Sequence, residues 1–475
     1  MNPFQIIFYI SLTLYVLWVL SFVFLERRRE NSLISWLLVF IAFPFIGFAI
    51  YLIFGRDMSK RKVFRLYKAE EHLMDEIKAR GLDDFESRRK DLRRALKERM
   101  DILDLTSTLS PTAVSFDNQV EIFTSGKEKF DSLIRDIEEA KGEIHLLTFI
   151  YQNDDLGRKI RDLLVRRAKE GIVVRVLLDH FGSFNVRGKF FDPLRKAGGK
   201  VAFSFPLRPW NLQINNRNHR KLVIIDNRIA YIGGFNIGDE YLGLHERWRD
   251  THLRIQGSSV LDLQIRFFLD WRNAGNNDLG ITLDRFKEPA IRGDIPIQIL
   301  SSGPDSVLEE IKLTYLDMIN KARESIYMQT PYFVPDEAMF EALRIALIKG
   351  IDVRIMIPNR QDHAFVYWAT YSFIGDLLPL GLKAYTYEKG FLHGKTMVVD
   401  GKIASVGSAN FDKRSFRLSF ECNAFLFGNK ACGQMRDLFM KDLEDCRELT
   451  KEIYDQRSWI VRMKEPISRI ISPIL

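Results

Sequence analysis

His219-Arg220-Lys221-Leu222-Val223-Ile224-Ile225-Asp226, trailed by Gly233-Gly234-Phe235-Asn236, is answered later in the chain by His393-Gly394-Lys395-Thr396-Met397-Val398-Val399-Asp400 and Gly407-Ser408-Ala409-Asn410. Histidine, lysine, aspartate, first glycine and asparagine fall at the same offsets in both copies. One His-x-Lys-x4-Asp is a weak signal, since a histidine beside a lysine ahead of a core strand is commonplace. Two copies inside a larger repeat are not. Outward from the motifs, Ala140 to Thr148, a helix to Gly171 and Ile172 to Asp179 match Ala322 to Thr330, a helix to Gly350 and Ile351 to Pro358. Strand, helix and strand follow in the same order in each half. Their near-continuous apolar runs predict strands buried on both faces, in an α/β fold.

Strand geometry explains the spacing. Side chains two apart share one face, so two such strands meeting at a pseudo-twofold interface would gather two histidines and two lysines. That set suits phosphodiester chemistry: a neutral imidazole attacks phosphorus while a protonated one donates to the leaving alkoxide. We therefore take His219, Lys221, Asp226, His393, Lys395 and Asp400 as the catalytic motif residues, with Asp226 and Asp400 read as structural partners that fix the loop. The lysines, the amides of Asn236 and Asn410, and the Ser408 hydroxyl are expected to hold the phosphate, and glycines 233, 234 and 407 to let backbone N–H groups approach it. Asp250 and Glu421, each downstream of a motif, are expected to orient the histidines. The other histidines, at 72, 145, 180, 245, 252 and 363, are not paired across the repeat and read as packing or surface residues.

With 475 residues and 46% hydrophobic content the chain can build more than one core, which excludes a disulfide mini-protein and a disordered tail. The three cysteines lack metal-ligand spacing and read as small buried hydrophobes, so neither a metal nor another cofactor is expected. Lysine and arginine exceed acidic residues by 70 − 62 = +8, which favours an anionic partner, a nucleic acid or an acidic membrane surface. Hydropathy favours the membrane. Phe4 to Leu25 and Leu33 to Phe54 are uncharged runs of 22 residues each, long enough to cross a bilayer. The loop between them carries three arginines and the segment after them six basic residues, Arg56 to Lys68, which puts the main body on the cytoplasmic side. Residues 60 to 105 are charged with apolar residues at helical spacing. They read either as a basic connector lying on headgroups or as solvated helices packed on the next domain. The expected organisation is two transmembrane helices over 1–58, a basic amphipathic connector over 59–110, and two repeated α/β domains over 111–280 and 281–475, the second ending in a C-terminal helix.

The doubled motif with its trailing Gly-x-x-Asn resembles the phospholipase D superfamily. Asn218 to Lys221, Gly233 to Tyr241, Trp248 to His252, Thr330 to Pro335, and Arg414-Ser415 before Glu421 resemble the bacterial cardiolipin synthases within it, as does the two-span N-terminus. The resemblance implies two phospholipase D-type domains with mixed sheets flanked by helices, in a multi-pass protein of the bacterial cell membrane. It implies transfer of a phosphatidyl group from one phosphatidylglycerol to another, giving cardiolipin and glycerol, with His219 as nucleophile and His393 as acid and then base. It implies lipid and not nucleic acid as partner. The residues themselves leave the two histidines interchangeable, and leave open a hydrolytic phospholipase D, a membrane-anchored nuclease and a non-catalytic lipid scaffold. A scaffold would be expected to have lost a His or Lys from one copy, and none is lost.

Overall fold

The computed structural model describes residues 2–25, parts of 36–51, 70–79 except 77, 100–206, 215–243, 248–279, 293–306 and 308–471. Fourteen strands carry the repeat. In the first half they are β1 (Ser115–Phe123), β2 (Glu143–Thr148), β3 (Val173–Asp179), β4 (Lys200–Ser204), β5 (Leu222–Ile225), β6 (Ile229–Gly233) and β7 (His252–Gln256). In the second they are β8 (Ile295–Ser302), β9 (Ser325–Gln329), β10 (Asp352–Pro358), β11 (Lys383–Tyr387), β12 (Thr396–Val399), β13 (Ile403–Gly407) and β14 (Ser419–Phe427). Outward from the middle the first half runs β1-β7-β6-β5-β2-β3-β4 and the second β8-β14-β13-β12-β9-β10-β11, so every strand has its counterpart. The outer three strands of each half pair in parallel, the others antiparallel, which is the mixed sheet expected of strand-helix-strand units followed by hairpins. Antiparallel pairing of β1 with β8 joins the two halves into one continuous sheet.

Nine helices positioned around or before this sheet enter the argument: α1 (Pro3–Leu25), α2 (Met100–Leu109), α3 (Gly126–Glu139), α4 (Asp155–Lys169), α5 (Ser259–Asn273), α6 (Glu310–Asn320), α7 (Glu337–Ile348), α8 (Ala364–Leu377) and α9 (Asn429–Leu443). Apolar residues of α3 and α4 bury one face of the first half, and those of α6, α7 and α8 the matching face of the second. The remaining faces meet in a shared core, where Ile224, Ile232 and Leu253 join Val398, Val406 and Ala424, sealed by Phe267 and Trp271 of α5 and Met435 of α9. The cysteines are free; Cys422 and Cys432 are buried, whereas Cys446 is only half-buried.

Of the connector, Glu70 pairs with Arg272 of α5 at 2.6 Å and α2 buries Met100, Ile102 and Leu103 in the second-half core, so these parts pack on the body. Its basic residues Lys60 to Lys68 lie outside the described residues. Among the described residues no helix is long and apolar enough to cross a membrane. The side chains at 20 and 22–25 of α1, and much of 33–54, fall outside them. Where both apolar runs are described they touch: the Tyr15 hydroxyl donates to Phe40 O at 2.7 Å, and the Trp18 ring meets those of Phe40 and Tyr51 edge-on.

The motif aspartates sit at the far ends of β5 and β12 from the histidines. The Asp226 carboxylate accepts from the backbone N–H groups of Lys141, Gly142 and Glu143 at 2.7–2.9 Å, and Asp400 does the same for Arg323, Glu324 and Ser325. Both adopt the left-handed backbone, φ 54°, which aspartate tolerates better than most residues. They clamp the start of β2 and β9 to the hairpin. Asp400→Ala should therefore cost about 3 kcal/mol of stability, and Asp400→Asn, which keeps one acceptor oxygen, clearly less. Denaturant unfolding of the solubilised chain measures both, and equal stability of Asp400→Ala and wild type would contradict the clamp.

Candidate active site

Backbone pairing decides how the motifs meet. Arg217-Asn218, leading into His219, pairs in parallel with Ser419-Phe420, leading into Glu421, and His219 N donates to Phe420 O at 3.0 Å. Phe391-Leu392, leading into His393, pairs in the same way with Trp248-Arg249, leading into Asp250, and His393 N donates to Arg249 O at 2.7 Å. Each histidine is thus delivered to the acid of the other half. His219 Nδ1 lies 3.0 and 3.1 Å from the two Glu421 oxygens, and His393 Nδ1 lies 2.6 Å from Asp250 Oδ2. An ionised carboxylate only accepts, so beside ionised Asp250 the His393 Nδ1 carries the proton and Nε2 is left for substrate, and Glu421 in its ionised form holds His219 in the same way. Both expected orienters hold a histidine, but neither holds the one in its own repeat.

Both rings line a pocket of about 700 Å³. Asn236, Asn410 and Glu421 line it too, whereas Lys221 and Lys395 lie beneath its floor, 2% exposed, each donating to the carbonyl of its own histidine at 2.6 Å. The Asn236 amide donates to the Tyr241 hydroxyl and accepts from Ile150 N, and Asn410 Oδ1 is buried with no hydrogen-bond partner, an open valence facing a ligand site. Ser408 departs from expectation. It is 1% exposed, absent from the pocket wall, and its hydroxyl donates to Glu421 Oε2 at 2.5 Å, so it fixes the acid and does not reach phosphate. The glycines also serve another purpose. A Cβ at Gly234 would stand 2.0 Å from Asp250 Oδ1, and one at Gly407 2.2 Å from Asn423 Oδ1, so they admit neighbouring side chains, and the Gly234 N–H is already given to Thr251 O.

Burial sets the electrostatics. It drives His219 well below 6.5, helped by Lys221 and Lys395, and takes His393 down to about 4 despite Asp250. Both lysines are pushed below their ordinary value by burial. Burial lifts Glu421 to about 7 against the pull of Lys221, while Asp250, which burial alone would raise, is held below the usual carboxylate range by Lys395 and His393. Two buried lysines and two buried carboxyl groups thus share the region behind the two neutral imidazoles. Among the described residues no group of three or more His, Cys, Asp or Glu is arranged to hold a metal.

Sequence reasoning missed the aromatic surround and two arginine struts. Trp248 and Tyr241 face the His393 ring at 5.3 and 6.2 Å, and Phe149 meets His219 edge-on at 4.8 Å. Arg220 donates to Glu421 O and pairs with Asp270 of α5 at 2.7 Å; Arg249 donates to Asp250 O and pairs with Asp442 of α9. Their positions beside the motif residues were the available signal. Of the unpaired histidines, His363 lines the pocket, while His252 is buried behind it against Tyr231 and Phe235.

The chain matches the family model described as cardiolipin synthase, PLD-like domain, twice, over residues 133–268 and 315–443, and residues 12–56 match the phospholipase D-nuclease N-terminal model. It is 46% identical over 467 residues to the major cardiolipin synthase ClsA of Bacillus subtilis, covering 97% of each chain. To a cardiolipin synthase of Listeria welshimeri it is 45% identical over 460 residues, covering 95% of each. In fold it is similar to phosphatidylserine synthase of Haemophilus influenzae, with a TM-score of 0.61 at 15% identity over 79% of this chain and all of that one. The repeat seen in the sheet, the doubled motif in one pocket and relatives matched from end to end agree: the chain belongs to the cardiolipin synthases with paired phospholipase D-like domains.

Proposed function

We propose that this chain is a cardiolipin synthase that moves a phosphatidyl group between two phosphatidylglycerol molecules through a phosphohistidine. The crossed dyads opening into one pocket carry this reading. Nε2 of neutral His219 attacks phosphorus, the bond from phosphorus to the glycerol oxygen breaks, and protonated His393 gives that oxygen its proton. Glu421 stabilises the imidazolium that phosphorylation of Nε2 creates. Neutral His393 then takes the proton from the terminal hydroxyl of a second phosphatidylglycerol, whose oxygen attacks phosphorus as the bond to Nε2 breaks. Lys221, Lys395, Asn236 and Asn410 stabilise the charge that develops on the non-bridging oxygens.

The environments support different roles for two rings that the motif leaves equivalent. Burial beside two lysines pushes His219 toward the neutral, nucleophilic form, and its acid at about 7 exerts the weaker pull on a proton. His393 faces a carboxylate that stays ionised, which favours the protonated form once an anionic substrate is bound. We further propose that Phe4–Leu25 and Leu33–Phe54 span the membrane with the catalytic body on the cytoplasmic side, a reading supported by the packing of Trp18 on Phe40 and Tyr51.

Purified protein given labelled phosphatidylglycerol in excess chelator should yield cardiolipin and glycerol, because the buried lysines provide the positive charge. Phosphatidic acid as sole product would identify a hydrolase, cleaved oligonucleotide a nuclease, and activity recovered only on adding Mg²⁺ would contradict the role of the lysines.

The histidines separate with an activated substrate. His393→Ala should lose 10² to 10⁴ of its activity on phosphatidylglycerol, on the order expected for general acid catalysis, yet still trap an acid-labile phosphohistidine from a p-nitrophenyl phosphodiester. His219→Ala should trap none. A phosphoenzyme at residue 393 in His219→Ala would reverse the assignment.

In His393→Ala the pH dependence of that trapping should follow His219 together with Glu421, whose carboxyl burial lifts to about 7. Burial beside two lysines depresses the pKa of His219, so the reactive neutral form persists as pH falls through 6.5 and is lost only well below. An NMR titration of the His219 ring in the same variant that centres near pH 6.5 would mean that His219 titrates as an ordinary exposed imidazole.

A further inference from the structure

The last helix, α10 (Trp459–Ile471), is amphipathic in the opposite sense to a surface helix of a globular protein. Such a helix ordinarily buries its apolar stripe and shows its charges to water. Here the buried positions are Glu465 and Ser468, while Trp459, Met463 and Ile470 are 74%, 56% and 70% exposed and Ile460 and Ile467 49% each. The polar side holds the helix to the protein: Glu465 accepts from Arg457 and from the Tyr454 hydroxyl, and Arg469 pairs with Asp376 and covers the Phe373 ring of α8. At 100° per residue the five exposed apolar residues occupy an arc of roughly 100°, with Arg462 beyond one margin and Lys464 beyond the other.

The first residues of the stripe stand level, along α8, with the mouth of the active site. Lys464 lies over the Trp368 ring and Arg469 over that of Phe373, so α10 runs beside α8 in the same direction. Its exposed Trp459 end is therefore level with the first residues of α8, where Phe365 lines the pocket half exposed, as Phe181 does from the first half.

We propose that α10 lies in the plane of an anionic bilayer, its apolar stripe sunk to the boundary of headgroups and acyl chains, and that it seats the pocket mouth on the surface that supplies both lipids. Cationic margins on an apolar arc, in a chain of net charge +8, complement an anionic lipid surface. The inference rests on reading the pocket as a phospholipid site.

The test uses the full chain reconstituted in phosphatidylglycerol-containing vesicles, with an environment-sensitive fluorophore on Met463→Cys and the unsubstituted chain as the labelling control. Its emission should shift to the blue and be quenched by brominated lipid, while the same probe on Lys451→Cys stays water-like. Met463→Glu with Ile467→Glu, both solvent-facing, should keep the melting temperature and turnover of the soluble p-nitrophenyl phosphodiester. On vesicles its cardiolipin synthesis should fall on the order of tenfold. A probe at 463 that stays water-like in vesicles overturns the inference, as does one shielded in detergent in proportion to protein concentration, which would give the stripe to a second copy. Neither result touches the reading of the pocket, which the wild-type product decides separately.

Discussion

The crossed histidine–carboxylate bonds are the constraint on which the rest of the structure depends. Neither repeat contains a working dyad: His219 needs Glu421 and His393 needs Asp250, and both pairs are buried. A desolvated carboxylate survives only when its oxygens are hydrogen-bonded or paired, so removing the imidazole from either pair leaves a buried acid without its partner. The two halves must therefore be held in fixed register, which the pairing of β1 with β8, the shared core and the two short parallel ladders beside the histidines accomplish. Duplication here is a requirement of the chemistry, since half of the molecule has no oriented imidazole.

Within that symmetric frame the two sites differ in small, traceable ways. Ser408 stands where the first repeat has Gly234, and the reason lies in the acids. Asp250 comes so close to residue 234 that no Cβ fits, whereas Glu421 leaves room for a hydroxyl and uses it as a donor. Arg220 stands where the second repeat has Gly394 and ties the Glu421 carbonyl to Asp270; on the other side Arg249 ties the Asp250 carbonyl to Asp442 of α9. Equivalent positioning is reached by different residues, and the two acids that result differ, Glu421 raised to about 7 and Asp250 held below the usual carboxylate range.

The doubled motif and the apolar runs made the mixed α/β repeat legible, because strand periodicity and offset are local properties. The histidines, lysines and acids were legible as types for the same reason. Which acid meets which histidine was not: the partners of His219 and Glu421 are set by a ladder between segments far apart in sequence. The glycines at 234 and 407 read as phosphate cradles because glycine signals close approach without saying to what, and here the neighbours are Asp250 and Asn423. Ser408 failed for the same reason, since a hydroxyl beside a motif serves acid or phosphate equally well. The C-terminal helix was expected as an element, but the sense of its amphipathicity depends on the face that α8 occupies.

A pocket of about 700 Å³ is of the size that encloses one drug-like ligand, and transfer between two diacyl lipids brings four acyl chains to the reaction. On the proposed reaction the site would enclose headgroups only, which would leave the chains in the bilayer throughout both half-reactions. That arrangement fits a deep, buried floor of lysines and dyads beneath a mouth with exposed Phe181 and Phe365. The floor lies where water is scarce and electrostatic interactions are strong, and the rim sets exposed Phe181 and Phe365 beside polar Asp362 and His363. An acceptor hydroxyl arriving with its own anchored lipid is then already concentrated at the phosphohistidine, whereas water must enter past the aromatic residues that surround both rings. On the proposed seating of the pocket on a bilayer, a preference for an alcohol over water would follow from where the pocket opens, with no separate group to recognise the acceptor oxygen.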